Sequence, residues 1–127
     1  MKIYNLLAIF SFLTISACAQ STDRMQLGRQ YAEAELKAAL SGKQSHNVIT
    51  EKNLIIKDSV TAIAVAEPIL FGIYGENNIT KQRPYEVYLI DTYWLITGTL
   101  PKGMKGGTFL IIIDATNSKV ILITHGK

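Results

Sequence analysis

Between Val60 and Ile73 only Thr61 and Glu67 carry strongly polar side chains, against Val60, Ala62, Ile63, Ala64, Val65, Ala66, Ile69, Leu70, Phe71 and Ile73. A helix written this way lacks the wide polar face of a surface helix, so it should be covered on most sides. Asp58 or Ser59 supplies an oxygen for the N-terminal cap, and Gly72 and Gly75 carry the stop signals. Pro68 has no amide proton and its ring crowds the carbonyl of Ala64. The helix must therefore kink there or restart with Pro68 as its first residue, and a kink is the expectation.

A chain of 127 residues fits one domain with room for a core. The net charge of +3 is spread thinly, with Lys81, Arg83, Lys102, Lys105, Lys119 and Lys127 separated by acids and apolar runs. Without a dense basic stripe, a nucleic-acid partner is not expected.

Residues 1–18 read as an address. Met1 and Lys2 open it, Ile3 to Ile15 is an apolar run short for a bilayer span, and Ile15-Ser16-Ala17-Cys18 resembles a bacterial lipobox. Lipidation would make Cys18, the only cysteine of the chain, the first mature residue. Several acyl chains on one residue would then anchor the protein stably on the periplasmic side of a membrane. The competing reading is ordinary cleavage before Gln20 after Ala17-Cys18-Ala19, which leaves a soluble periplasmic protein. Residues 19–127 are then expected to form a single domain.

Residues 23–40 predict an amphipathic helix capped by Asp23, with Leu27, Tyr31, Ala34 and Ala38 at helical spacing. Ser41 to Asn47 reads as a polar loop, and Asn53 to Lys57 as a short strand or the lead-in to the apolar helix. From Tyr85 the period becomes two. Tyr85, Val87 and Leu89 alternate with Glu86, Tyr88 and Ile90; Asp91 and Thr92 turn the chain; and Trp94 and Ile96 alternate with Tyr93, Leu95 and Thr97. A second hairpin runs from Thr108 to Ile113 and from Lys119 to Thr124 about a turn at Asp114 to Ser118. Helices followed by four strands in series predict an α+β fold, with the helices on one face of an antiparallel sheet. Trp94 should be buried, with a partner for its indole N–H.

Thr61-Ala62-Ile63, Ala66-Glu67, Ile73-Tyr74-Gly75-Glu76, Pro84-Tyr85, Trp94, Gly98-Thr99-Leu100-Pro101, Gly106-Gly107 and Thr124-His125-Gly126-Lys127, in this order and spacing, resemble bacterial immunity proteins of the YbbC/YhhH type. The resemblance covers roughly residues 56–127. It implies a nuclear-transport-factor-like cone, with helices on a curved four-stranded antiparallel sheet. It also implies a non-catalytic role: binding and neutralising a cognate polymorphic toxin.

A fold of this shape can enclose a pocket, so the alternative is a small periplasmic ligand-binding lipoprotein or enzyme. Glu67 is its candidate acid, since it interrupts an apolar helix and burial would raise its pKa. The plain alternative places Glu67 at the helix edge, in water or paired with a lysine. Asp91 reads as a turn residue, His125 as a polar strand end, and Tyr74 and Tyr88 have no sequence-local partner. His46 and His125, without a cysteine pair, offer too few ligands for a transition metal, and no cofactor motif is present. Pro101 to Gly107 lacks the Gly-Lys-Ser/Thr ending of a phosphate loop. Its glycines instead suit a sharp connection with Met104 exposed at the tip. Loops held by a rigid sheet are the usual carriers of recognition, so Lys102, Met104 and Lys105, with Lys81 and Arg83, are the candidate toxin contacts. The toxin is expected to act in, or cross, the cell envelope, because an inhibitor that works by contact must share its target's compartment.

Overall fold

The computed structural model describes residues 24–43 and 46–126. They fall into two compact units, one ending at Gln44 and one beginning at Ser45. The signal, the lipobox with Cys18, and the Asp23 cap lie outside the described residues.

In the first unit, helix α1 spans Gly28–Leu40. It begins later than the expected residue 23, because Gly28 has a φ of +80° and left-handed backbone cannot continue a right-handed helix from upstream. Arg29 and Glu33 pair along it at 2.7 Å. No residue of α1 is buried.

The second unit holds α2 (Ser59–Tyr74), α3 (Glu76–Thr80) and strands β1 (Glu86–Ile90), β2 (Tyr93–Thr97), β3 (Phe109–Asp114) and β4 (Val120–His125). The strands form one antiparallel sheet in sequential order, and the α+β expectation holds, with the first hairpin where the two-residue period placed it and the second where the apolar run and the Asp114–Ser118 turn placed it. At the first turn Asp91 takes a φ of +53°, which a short polar side chain tolerates. Helix α2 passes through Pro68 as one element, which removes the restart alternative. Helix α3 was not legible in advance. Its five residues are too few to display a period, yet they bury Ile79 completely.

Helix α2 is less covered than its composition implied. Only Ala62, Ala66 and Leu70 are buried, an i, i+4, i+8 stripe, while Val60 and Ile73 are exposed. The reason is geometric: a single sheet can cover only one side of a helix lying on it. That stripe meets Trp94, Ile96, Phe109, Ile111 and Ile113 of the sheet, and Ile56 completes the core. Ile56 belongs to neither a strand nor a helix. The backbone amides of Ile55 and Ile56 both donate to the Ala115 carbonyl, at 2.8 and 3.0 Å, which pins the lead-in of α2 to the β3–β4 turn.

Asp58 is the N-cap, accepting from the Thr61 amide at 2.8 Å and from the Thr61 hydroxyl at 3.2 Å. The amide bond, more than the hydroxyl, holds its carboxyl below the ordinary 3.8. A carboxylate with a depressed folded-state pKa stabilises the fold fully above its unfolded value and loses that contribution as pH falls through the lower folded value. Stability should therefore fall as pH drops below about 4. Asp58→Asn, which keeps a capping oxygen but cannot titrate, should show a shallower acid loss. Urea midpoints at neutral and acid pH check this, and equal acid losses in both proteins would contradict it.

Candidate functional site

Gln82 organises the end of the unit where α3, the 98–108 connection and β4 converge. It is 3% exposed, and its side chain is satisfied at both ends. The amide Nε2–H donates to the Asn78 carbonyl at 2.8 Å, and Oε1 accepts from the Phe109 amide at 3.0 Å. Its backbone carbonyl also accepts from the Thr99 amide at 2.9 Å. One polar side chain thus ties α3 to β3 in a region where an unpaired donor would be costly. The close approach requires Gly98, because a Cβ there would stand 2.8 Å from Gln82 Cβ.

Above Gln82 lies a groove of about 770 Å³, walled by Tyr74, Asn78 and Lys81 on the helical side and by Leu100, Pro101, Met104 and His125 opposite. Tyr74 and His125 meet at 5.3 Å between ring centroids, and His125 Nδ1 lies 2.8 Å from the Gly126 carbonyl. Lys81 Nζ donates to Asn78 Oδ1 at 2.9 Å, which holds the cation at the groove's edge. Met104 is 64% exposed, on a connection turned by Gly103 at φ +82° and Gly106 at φ +156°. Aromatic and thioether surface beside a single fixed cation suits a partner that brings an apolar side chain and a carboxylate together.

The candidate contacts separate into two places. Lys81 and Met104 share the groove, with Lys102 and Lys105 exposed on either side of Met104. Arg83 points elsewhere. Its guanidinium donates to Glu67 Oε1 through Nε at 3.0 Å and through Nη2, and Tyr85 O–H donates to the same oxygen at 2.8 Å. Arg83 also stands 5.8 Å from the Tyr85 ring centroid. The bond to Glu67, ahead of the contact with Tyr85, raises the Arg83 pKa. Burial first, and then the Glu67 bond, raises that of the Tyr85 phenol. Glu67 therefore sits at a helix edge paired with a cation, an arginine rather than a lysine, in a depression shared with Ile63 and Pro84. Tyr88 lies on the far face of the sheet, 53% exposed.

Sequence reasoning did not find Gln82, Asn78, Leu100 or Pro101 as groove residues. One signal was available: Gly98 and Gly107 bracket the connection, and each makes a close backbone approach that only glycine permits.

A family profile described as "NTF2 fold immunity protein" matches residues 61–127. The chain is 26% identical over 123 residues to the uncharacterized protein YhhH of Escherichia coli K12, covering 96% of this chain and 86% of that protein. It is also 26% identical over 132 residues to the uncharacterized protein YbbC of the same organism, covering both chains fully. No solved structure matches the chain significantly.

Proposed function

The chain belongs to the NTF2-fold immunity protein family, and from that premise we propose that it protects its cell by stoichiometric binding of a cognate toxin that acts in, or crosses, the envelope. The family match carries this reading, because it spans the residues that build the groove, from Tyr74 to His125. The contact set is Lys81 and Met104 in the groove with Lys102 and Lys105 beside them. The lysines speed encounter with an acidic partner, and Met104 is buried on contact. Arg83 serves the neighbouring depression with Glu67. The role is binding without catalysis, in keeping with a family whose members confer immunity. The compartment follows from Ile15-Ser16-Ala17-Cys18 after the apolar run, with 1–18 as the signal and lipid on Cys18 as the anchor.

The test is survival of cells that make, in the periplasm, the toxin encoded beside this chain. The full chain should protect. A version lacking residues 1–18 and retained in the cytoplasm should not, and protection by it would overturn the compartment. Joint replacement of Lys102, Met104 and Lys105 by alanine should abolish protection, and unchanged survival would overturn the loop assignment. Cys18→Ser should move the protein from the membrane to the soluble periplasmic fraction.

A further inference from the structure

The free edge of β4 runs into the groove. The sheet order β1-β2-β3-β4 leaves one side of β4 and one side of β1 without a neighbouring strand. In an antiparallel ladder successive residues of a strand bond alternately to its two sides. The Gly126 amide donates inward, to the Thr108 carbonyl at 2.9 Å, so Thr124 and Leu122, opposite Leu110 and Ile112, also bond inward. Ile123 and His125 therefore turn their amides and carbonyls outward, and no segment among residues 46–126 bonds to them. Natural sheets blunt such edges with charge, proline or a bulge. β1 is blunted at both ends, since Pro84 and Glu86 open it and Asp91 follows it. β4 has one such device, the register shift between Ile112 and Ile113 opposite its start. Beyond that point Leu122, Ile123, Thr124 and His125 include no acid, lysine, arginine or proline.

We propose, building on the reading that this chain binds a toxin, that an extended segment of the toxin pairs with β4 as a fifth strand and delivers a side chain into the groove. Continuity and charge carry the inference. His125 belongs both to the free edge and to the groove wall, where its ring meets Tyr74. Directly opposed residues share a face, so a residue paired beside His125 lies on the groove side of the extended sheet. Its side chain thus enters the space that Lys81 and Met104 border. Main-chain bonds to β4 supply affinity that is indifferent to sequence, and the groove supplies the selection. Lys119 precedes β4 and Lys127 follows it. A strand flanked by acids is therefore favoured along this edge, while the acids about β1 repel the same strand. A second copy is disfavoured for a related reason. Two β4 strands paired antiparallel about a two-fold axis set the Lys119 end of each against the Lys127 end of the other, like charge against like.

The experiment uses the full chain in mild detergent and the purified toxin encoded beside it. His125→Ala and His125→Pro are compared, because both remove the imidazole and only proline also removes the outward amide and sets a ring on the edge. His125 is exposed and ends its strand, a place where an edge proline is tolerated. The proline variant should bind the toxin roughly ten-fold more weakly than the alanine variant, with the two unfolding midpoints alike. Should the proline variant fail to fold, amide hydrogen exchange on the unaltered protein reads the same contact. Toxin should slow the Ile123 and His125 amides and leave the free edge of β1 unchanged. Equal affinities of the two variants, or bound toxin with the Ile123 and His125 amides still exchanging freely, would overturn strand addition and leave toxin binding itself standing. Absence of any complex with the unaltered protein would overturn both. Protection of these two amides in a toxin-free protein of twice the protomer mass would assign the edge to a second copy, and it too would overturn the proposal.

Discussion

Trp94→Ala should lower the stability of the fold by roughly 3 to 5 kcal/mol, the range for large aromatic truncations in cores. The indole is 6% exposed and lies at the centre of the contact between the α2 stripe and the sheet. Its loss removes a large apolar area and leaves a cavity between elements that can close only by moving a helix. A second cost is specific to this site. Trp94 Nε1–H donates to the Ile56 carbonyl at 2.9 Å, and that carbonyl belongs to the segment that brings the chain into α2. Alanine leaves a buried acceptor without its donor. Trp94→Phe, which keeps most of the apolar area, isolates the hydrogen bond and should cost a smaller share, about 1 to 3 kcal/mol. Chemical denaturation midpoints at neutral pH read both values. An unchanged midpoint for Trp94→Ala would show that the indole is not a core group.

Gly107→Ala should be nearly as damaging, on the order of 3 kcal/mol, through overpacking of backbone against backbone. A Cβ on Gly107 would overlap the Gly126 carbonyl and stand 2.8 Å from Gly126 Cα. No flexible side chain can yield there. The strands would have to part at the end of β4, which carries the Gly126 amide bond to the Thr108 carbonyl at 2.9 Å. Gly107 also lines the groove, so the displacement would move His125 relative to Met104. Protection against the toxin should therefore fall along with the unfolding midpoint. Gly126→Ala is the control on the same pair. Its Cβ would meet Gly107 Cα at 3.3 Å, which a shift of a few tenths of an ångström relieves, so its effect should be much smaller. Equal effects from the two substitutions would contradict the close approach as the cause.

The strands were legible because their signals are local: a period of two over Glu86–Ile90 and Tyr93–Thr97, and a Phe-, Leu- and Ile-rich run before a turn for Phe109–Asp114, need only neighbouring residues. Asp58 before an apolar run likewise marked the start of α2, and it is the cap. Glu67 shows the limit of such reading. It is conspicuous in its helix, but its partners Arg83 and Tyr85 lie on segments 16 and 18 residues away. Only the fold reveals a paired carboxylate rather than a lone acid.

What the sequence alone determined is the order and type of the main elements, the buried Trp94 and the family resemblance, all carried by periodicity or by short motifs. What the tertiary structure decided is coverage and convergence. It set which stripe of α2 is buried and which face of the sheet stays open. It separated Arg83 from Lys81, two residues apart in the chain, into different depressions. It also brought Tyr74, Gln82, Met104 and His125 to one groove. The physical reason is that alternation marks two faces of a strand without saying which one the chain covers. That choice depends on contacts between residues far apart in sequence, and those contacts exist only once the strand register and the helix on the sheet are in place.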